Sequence, residues 1–323
     1  MSTLQYLVWV RTWRQSRVSL GIVDSKTIPQ HGLLNNSTVH NNPLDNAVPR
    51  DMAPNIVNDD YKGSRPEKHK KGSDKDPLTI ILSMVEDAVD DMYYGCTVKM
   101  KYKVNNEYLT NETNQELFNK SWVKTKECLE NVQKRFKKEK EKYNDLAFED
   151  DHKKAICAYT AKEPQIYDAF NQDVRTQNNQ YTATFKYHTL HFWLTDAIRL
   201  LKENQQHCYI TYRRTKDIYI GRVNDKMRFG YFASSSLDKN SNDKFGEESC
   251  FEIFTCFGAY LKSYPGLGNS QKEVLIPPYE VFKITAVSKK EKKNKDNSLW
   301  CNTVYKLESH GCQSNLNCNM VPD

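Results

Sequence analysis

Gln271 and Glu273 lie at a point in the sequence where polar side chains could take part in catalysis. A turn region containing Pro, Gly and Asn, residues 264–269, precedes them, and the apolar stretch VLIPPYEVFKI follows. Because side chains alternate along a strand, we expect Gln271 and Glu273 to share one face and Lys272 to point to the other. A carboxylate next to a loop can act as a catalytic group, whereas a single Glu at a strand end is most often a surface acid.

Two upstream segments also place polar side chains at the ends of predicted strands. Arg213 and Arg214 end the apolar run CYITYRR, and Ser234 and Ser236 follow the aromatic run RFGYFA. A planar guanidinium binds phosphate through paired, charge-assisted hydrogen bonds. The chain therefore carries an Arg on one strand, a Ser-x-Ser on the next, and then Glu273 followed by VLIPP.

This order of residues resembles the R-S-E signature of the vertebrate ecto-mono-ADP-ribosyltransferases, the NAD(P)(+)--arginine ADP-ribosyltransferases. The resemblance extends from about Met84 to Cys318 and includes the closing segment SNLNC. It implies an α+β fold in which an N-terminal helical half packs on a two-sheet β core with an NAD cleft. It also implies an enzyme that transfers ADP-ribose from NAD, or from NADP, to a protein side chain and releases nicotinamide. Arginine is the acceptor expected from the family.

The resemblance also implies roles for individual side chains toward NAD. Arg213 would anchor the pyrophosphate, and Ser234 would bind the nicotinamide-side ribose and orient the catalytic carboxylate. Ser236 is a secondary candidate for a cofactor contact, because it shares a strand face with Ser234. The loop 237–245 would cover the nicotinamide, with Phe245 as its stacking partner.

Glu273 is the candidate for the central catalytic role, and Gln271 departs from the family pattern. A fixed carboxylate would stabilise the positive charge that develops on the ribose and would hold a ribose hydroxyl. Arginine-specific members carry Glu-x-Glu, in which the first Glu orients or deprotonates the acceptor. The amide of Gln271 can form hydrogen bonds but cannot accept that proton. Two alternatives therefore stay open: an NAD glycohydrolase on the same site, and a non-catalytic interaction protein.

Charge and hydropathy exclude some other classes of protein. The chain has 323 residues with a net charge of +6, and 27% of its residues are charged. Its basic runs, at 134–143 and 289–297, alternate with acids or amides, as is typical of solvated faces rather than nucleic-acid sites. No apolar stretch approaches the roughly 20 residues that cross a bilayer. No Cys or His spacing indicates a metal site.

Nine cysteines and four N-glycosylation sequons, at Asn35, Asn36, Asn111 and Asn119, favour an oxidising, extracellular compartment. The resemblance implies two disulfides, Cys96–Cys318 and Cys208–Cys256, and leaves an odd number of other cysteines. The sequence does not show the usual export and anchoring signals. The start, MSTLQYLVWVRTWRQSR, is short of a normal signal peptide, and the end, CNMVPD, lacks a glycolipid-anchor signal.

The domain organisation follows from changes in composition and periodicity. Residues 1–77 are predicted to be a poorly ordered extension. Within it, MAPNIVNDDYKGS at 52–64 partly duplicates MVEDAVDDMYYGC at 84–96, with Ser64 in place of Cys96. Residues 78–323 are the predicted catalytic domain. Helical periodicity occurs first, at 116–143, 156–159, 166–174 and 185–201. Runs typical of strands follow at 208–213, 227–232, 251–257, 273–287 and 300–307.

Overall fold

The computed structural model describes residues 77–139, 147–241, 243–266, 268–290 and 299–322. The predicted extension, apart from Pro77, and its duplicated segment at 52–64 lie outside these residues. The described part has helices in its first half and a mixed β-sheet in its second. The predicted α+β class is therefore confirmed.

The helices precede most of the sheet, and their apolar sides form one core with it. Within the described residues the α-helices are α1 Thr97–Lys103, α2 Leu109–Glu112, α3 Glu116–Glu139, α4 Asp150–Thr160, α5 Tyr167–Thr176 and α6 His188–Gln205. A π-helical turn, Val104–Tyr108, lies between α1 and α2. Helix α3 buries Phe118, Val132 and Phe136 on one side, as its helical periodicity predicts.

Helix α6 lies at the centre of the core; it begins where a distant carboxylate caps it and ends at a residue in the left-handed conformation. The carboxylate of Glu112 accepts hydrogen bonds from the backbone N–H groups of His188 at 2.6 Å and Thr189 at 3.0 Å. It thereby satisfies donors that the first turn of a helix leaves unpaired. Gln206, in the left-handed conformation with φ +51°, follows the last residue.

Ten strands form two sheets in the described residues: β1 Thr79–Ile81, β2 Tyr209–Thr215, β3 Ile218–Ile220, β4 Lys226–Met227, β5 Ala233–Ser236, β6 Ser249–Thr255, β7 Ala259–Tyr260, β8 Glu273–Ile276, β9 Glu280–Lys289 and β10 Thr303–Cys312. Strands β1 and β3 pair in parallel as a small sheet. The larger sheet has the order β4-β9-β10-β6-β2-β5-β8-β7, and only its β10–β6 pair is parallel. Strands β2, β5 and β8 are therefore neighbours, although they are far apart in sequence.

The predicted strand at 227–232 is wrong beyond its first residue. Strand β4 ends at Met227, and Gly230 has φ +68°, where an added Cβ would lie 2.5 Å from a methyl carbon of Val85. Arg228 leaves the sheet because its guanidinium is buried and bonded to Asp90 at 2.6 Å. The aromatic residues that suggested a strand are packed in the core outside regular structure. A second prediction, of one strand over 273–287, is interrupted at Pro277 and Pro278 between β8 and β9.

Four disulfides join distant parts of the described chain. The two pairings implied by the resemblance, Cys96–Cys318 and Cys208–Cys256, are both present. Two more bonds are Cys128–Cys157, between α3 and α4, and Cys250–Cys301. Cys312 has a free thiol. The five cysteines outside the two implied disulfides thus form two further disulfides and leave one free thiol.

Candidate active site

Arg213, Ser234 and Glu273 lie together because they stand on three neighbouring strands, β2, β5 and β8. Arg213 donates from Nη1 to the backbone oxygen of Ser234 at 2.7 Å. The hydroxyl of Ser234 lies near enough to the carboxylate of Glu273 to favour its charged form, and the positive charge of Arg213 acts in the same direction. The structure thus brings together the three residues of the predicted signature.

The environment of Glu273 changes its acidity. Removal from water raises the pKa of Glu273 above its ordinary value of 4.5, and the Ser234 hydrogen bond and the charge of Arg213 offset only part of this rise. The side chain keeps some exposure at the start of β8. A partly desolvated carboxylate held by a hydroxyl can stabilise positive charge on a bound molecule.

Arg213 belongs to a cluster of guanidinium and phenol groups. Its Nη2 donates to the hydroxyl of Tyr231 at 3.2 Å, and the guanidinium of Arg175, on α5, lies 4.2 Å from the centre of the Tyr231 ring. Burial alone would raise the pKa of Tyr231, but the charges of Arg213 and Arg175, together with hydrogen bonding to Tyr219 and Arg213, lower it below its ordinary value. Within the described residues, the buried Nε of Arg213 has no hydrogen-bond acceptor. The cluster therefore offers positive charge and one unused donor to an anion.

Helices α4 and α5 fix the backbone that enters β5. The hydroxyl of Tyr159 donates to the backbone oxygen of Phe232 at 2.5 Å. Asn171 bonds Phe232 through both its amide nitrogen and its amide oxygen, each at 3.2 Å, and donates to Tyr159 at 3.0 Å. Burial raises the pKa of Tyr159, and the nearby charge of Glu273 acts in the same direction. The helical half thus sets the position of the strand that carries Ser234.

Four residues of this region were not identified from the sequence: Tyr159, Asn171, Arg175 and Tyr231. The sequence pattern placed Tyr159 and Asn171 only in helical segments, ended the second of these segments before Arg175, and placed Tyr231 in a strand. A usable signal was present in α5, where Asn171 and Arg175 stand four residues apart. They lie beside the buried Phe170 and Val174, so polar groups were to be expected near the core.

Gln271 does not lie on the strand that begins with Glu273. It ends a 3-10 turn, Gly268–Gln271, and Lys272 has φ +44°, so the backbone is not extended between them. The prediction that Gln271 and Glu273 share a strand face is therefore wrong. Side chains alternate between two faces only within a strand, and Gln271 lies before the strand begins. The hydroxyl of Ser236 donates to the backbone oxygen of Gln271 at 2.7 Å. That bond fixes the turn against β5.

The other two predicted cofactor contacts, Ser236 and Phe245, have different surroundings. Ser236 is only 2% exposed and its hydroxyl is engaged with Gln271, so the structure gives it a role in holding the turn. A contact of Ser236 with a cofactor stays a prediction. Phe245 ends a 3-10 turn, Asp243–Phe245, after β5 and is 50% exposed. An exposed ring on a loop is available for stacking, and that role also stays a prediction.

Cavity size does not locate this site. Two surface cavities, of about 640 and 400 Å³, lie elsewhere, one near Asn119 and Pro164 and the other near Tyr108 and His188. Arg213, Ser234 and Glu273 line neither cavity, so the chemistry of their side chains identifies the site instead.

Among the described residues, no group of three His, Cys, Asp or Glu side chains is placed to hold a metal ion. In the same residues, no helix is long and apolar enough to cross a membrane.

Comparison with known proteins assigns the class of protein that this fold and site define. The sequence model of the family described as NAD:arginine ADP-ribosyltransferase matches residues 82–300. The chain is 30% identical over 260 residues to ecto-ADP-ribosyltransferase 4 of Mus musculus, covering 77% of this chain and 80% of that protein. It is 28% identical over 243 residues to NAD(P)(+)--arginine ADP-ribosyltransferase 1 of Gallus gallus, covering 73% of each.

Solved structures agree with this assignment. The crystal structure of a mutant of the eukaryotic mono-ADP-ribosyltransferase ART2.2 in complex with NAD aligns with a TM-score of 0.56 and 30% identity. The alignment covers 75% of this chain and 99% of that one. The chain belongs to the NAD:arginine ADP-ribosyltransferase family. The predicted family and the fold that it implied are both confirmed.

Proposed function

We propose that this protein is an extracellular mono-ADP-ribosyltransferase that transfers ADP-ribose from NAD to a side chain of an acceptor protein. The observation that carries the proposal is the meeting of Arg213, Ser234 and Glu273 on adjacent strands. The residues 78–323 would form the catalytic domain. Family membership supports NAD as co-substrate and arginine as the first acceptor to test.

The side chains of the site fit NAD. The unpaired Nε of Arg213, beside the positive charge of Arg175, suits a pyrophosphate oxygen. The exposed ring of Phe245 suits the face of a nicotinamide. The carboxylate of Glu273, whose charged form the Ser234 hydroxyl favours, suits the ribose. NADP fits the same contacts, which involve only the pyrophosphate and the nicotinamide side.

Three side chains of the site would have separate roles in the cleavage of NAD. The bond between the ribosyl carbon of NAD and nicotinamide breaks. Both bonding electrons leave with nicotinamide, which departs as a neutral molecule. Glu273 must be ionised to stabilise the positive charge left on the ribose, an effect worth about 3 kcal/mol for a well-placed group. Arg213 holds the phosphates, and Ser234 fixes the carboxylate. An acceptor nitrogen then bonds to the ribosyl carbon and releases a proton to solvent or to a nearby base.

Gln271 favours a second candidate function, NAD glycohydrolysis. Its amide can accept a hydrogen bond from a guanidinium but cannot take the proton that the acceptor loses. Water needs less help than a protonated guanidinium to capture the ribosyl carbon. The balance between transfer and hydrolysis at this site therefore depends on the turn that ends with Gln271.

An extracellular location has two supports. Four disulfides are present in the described residues, which is typical of proteins that fold in an oxidising compartment. Relatives of the chain carry the words ecto or GPI-linked in their names. The acceptor would then be a protein exposed at the cell surface or in the extracellular fluid.

The test incubates the full oxidised chain with NAD labelled in its ADP-ribose part and with agmatine, a free guanidine. Label on agmatine supports an arginine-type transferase. Free labelled ADP-ribose with unlabelled agmatine supports the glycohydrolase or a transferase for another side chain. No release of nicotinamide with any acceptor would contradict both functions.

A further inference from the structure

Arg135, near the end of α3, binds the loop between β7 and β8. This loop is residues 261–272, of which residue 267 lies outside the described residues. Nη1 of Arg135 donates to the backbone oxygen of Gly266 at 3.2 Å, and Nη2 donates to those of Ser263 at 3.1 Å and Pro265 at 2.7 Å. One guanidinium therefore binds three backbone carbonyl groups within four residues of the loop. Its planar set of donors is suited to this, whereas an ammonium is not.

Packing around Arg135 reinforces these bonds. The ring of Phe136 lies 4.9 Å from that of Tyr264, and both residues are buried. The backbone N–H of Gly266 donates to the hydroxyl of Thr160, on α4, at 3.1 Å. An added Cβ at Gly268, whose φ is +71°, would lie 3.3 Å from Cδ of Arg135. The loop is thus fitted closely to the helical half.

A disulfide fixes helix α3, which carries Arg135, to helix α4. The disulfide Cys128–Cys157 joins α3 to α4, so Arg135 and Thr160 approach the loop from two covalently linked helices. At its other end, the loop leads into Gln271, whose backbone oxygen is bonded by Ser236 from β5. The loop therefore spans from the helices to the sheet, and both ends are held.

We propose that Arg135 is a positioning residue for the transfer step, acting through the β7–β8 loop on the placement of Gln271 and the acceptor. The proposal rests on the transferase function proposed above. Arg213 and Ser234 stand on β2 and β5, outside this loop, so NAD binding does not require Arg135. When the loop moves, the acceptor loses its place beside the ribosyl carbon and water captures that carbon instead. Transfer falls while cleavage of NAD continues.

The experiment uses the full oxidised chain with labelled NAD and agmatine. It measures nicotinamide release, label on agmatine and the KM for NAD. Arg135→Met keeps an unbranched apolar stem and removes all three hydrogen bonds. We expect the ratio of transfer to hydrolysis to fall by about tenfold, since a small displacement of reacting groups costs this much or more. The KM for NAD should stay within about twofold of the wild type, and Lys134→Met, which removes an exposed charge one residue away, should leave the ratio unchanged.

A second variant keeps the test decisive if Arg135→Met does not fold. Arg135→Lys retains the charge and offers a single donor group, so its ratio should also lie below that of the wild type. An unchanged ratio in the folded variants would overturn the role of Arg135 while leaving the transferase intact. A KM for NAD that rises together with the loss of cleavage would overturn it as well. A wild-type chain that cleaves NAD without labelling agmatine would contradict transfer to a guanidine, and the Arg135 proposal with it.

Discussion

Ser236 donates a hydrogen bond from its hydroxyl to the backbone oxygen of Gln271 at 2.7 Å, and this bond ties strand β5 to the end of the β7–β8 loop. The two serines of the Ser-x-Ser motif therefore have separate tasks. Ser234 favours the charged form of the Glu273 carboxylate, and Ser236 holds the turn that precedes Glu273. Under the proposed function, the motif would connect NAD cleavage with the position of the acceptor.

Replacing Ser236 with Ala should lower the ratio of transfer to hydrolysis more than it lowers NAD cleavage. The free energy of unfolding should fall by about 1 kcal/mol, because the partly buried carbonyl of Gln271 loses its donor. Ser235→Ala is the matched control, since the Ser235 hydroxyl donates to the backbone oxygen of Val274 at 3.0 Å within the paired strands. The control should lose similar stability and keep the ratio. Equal ratios in the two variants would contradict a role for Ser236 in holding the turn.

Replacing Gln271 with Glu should raise arginine transfer relative to hydrolysis. The new carboxylate pairs with the acceptor guanidinium and can accept its proton, a contribution of about a hundredfold for a well-placed base. Gln271→Met, of similar volume and without polar atoms, should lower transfer. The measurement is label on agmatine divided by free ADP-ribose. A ratio that does not move in the Glu variant would show that the acceptor does not reach this side chain.

The pH dependence of NAD cleavage should report the ionisation of Glu273. Because burial raises its pKa, activity should be lost at a pH above the ordinary 4.5 of a glutamate as the carboxylate takes up a proton. Ser234→Ala removes a hydrogen bond that favours the charged form, so the acid limb of kcat/KM should move to higher pH. An acid limb that stays in place or moves to lower pH would contradict this assignment.

Glu112 should make stability depend on pH. Burial raises its pKa from 4.5 to about 7, so the folded state binds the proton more tightly than the unfolded state. The stabilisation is fully present below pH 4.5 and is lost as the pH rises to about 7. It amounts to about 3 kcal/mol across that range. Glu112→Gln cannot ionise, so the unfolding free energy of the wild type should fall relative to the variant over this range. The unfolding free energies are measured by chemical denaturation. If those of the wild type and Glu112→Gln change in parallel with pH, the raised pKa of Glu112 is contradicted.

The signature residues could be predicted because their types and order are local facts of the sequence. Arg213, Ser234 and Glu273 each end or begin a run of strand-forming residues, and the sheet brings these ends together. The surrounding groups could not be predicted in the same way. Tyr231, Arg175 and Arg213 meet only after α5 packs on the sheet, and no spacing along the chain encodes that contact.

The wrong strand at 227–232 and the unassigned cysteines have similar causes. The aromatic run suited a strand, but Arg228 is drawn out of the sheet by Asp90, which lies 138 residues away. The five cysteines outside the implied pairs allow many pairings, and only the packing of α3 on α4 selects Cys128–Cys157. Such choices depend on tertiary contacts rather than on periodicity.

The measurement that tests the central claim most directly is nicotinamide release from NAD by the wild type and by Glu273→Gln. The variant keeps the size of the side chain and one acceptor oxygen, and it removes the charge. We predict a loss of about a hundredfold or more in kcat, the amount expected for one preorganised electrostatic group. Glu308→Gln, at an exposed position of β10, is the control and should leave the rate unchanged. A Glu273→Gln protein that releases nicotinamide at the wild-type rate would contradict the account.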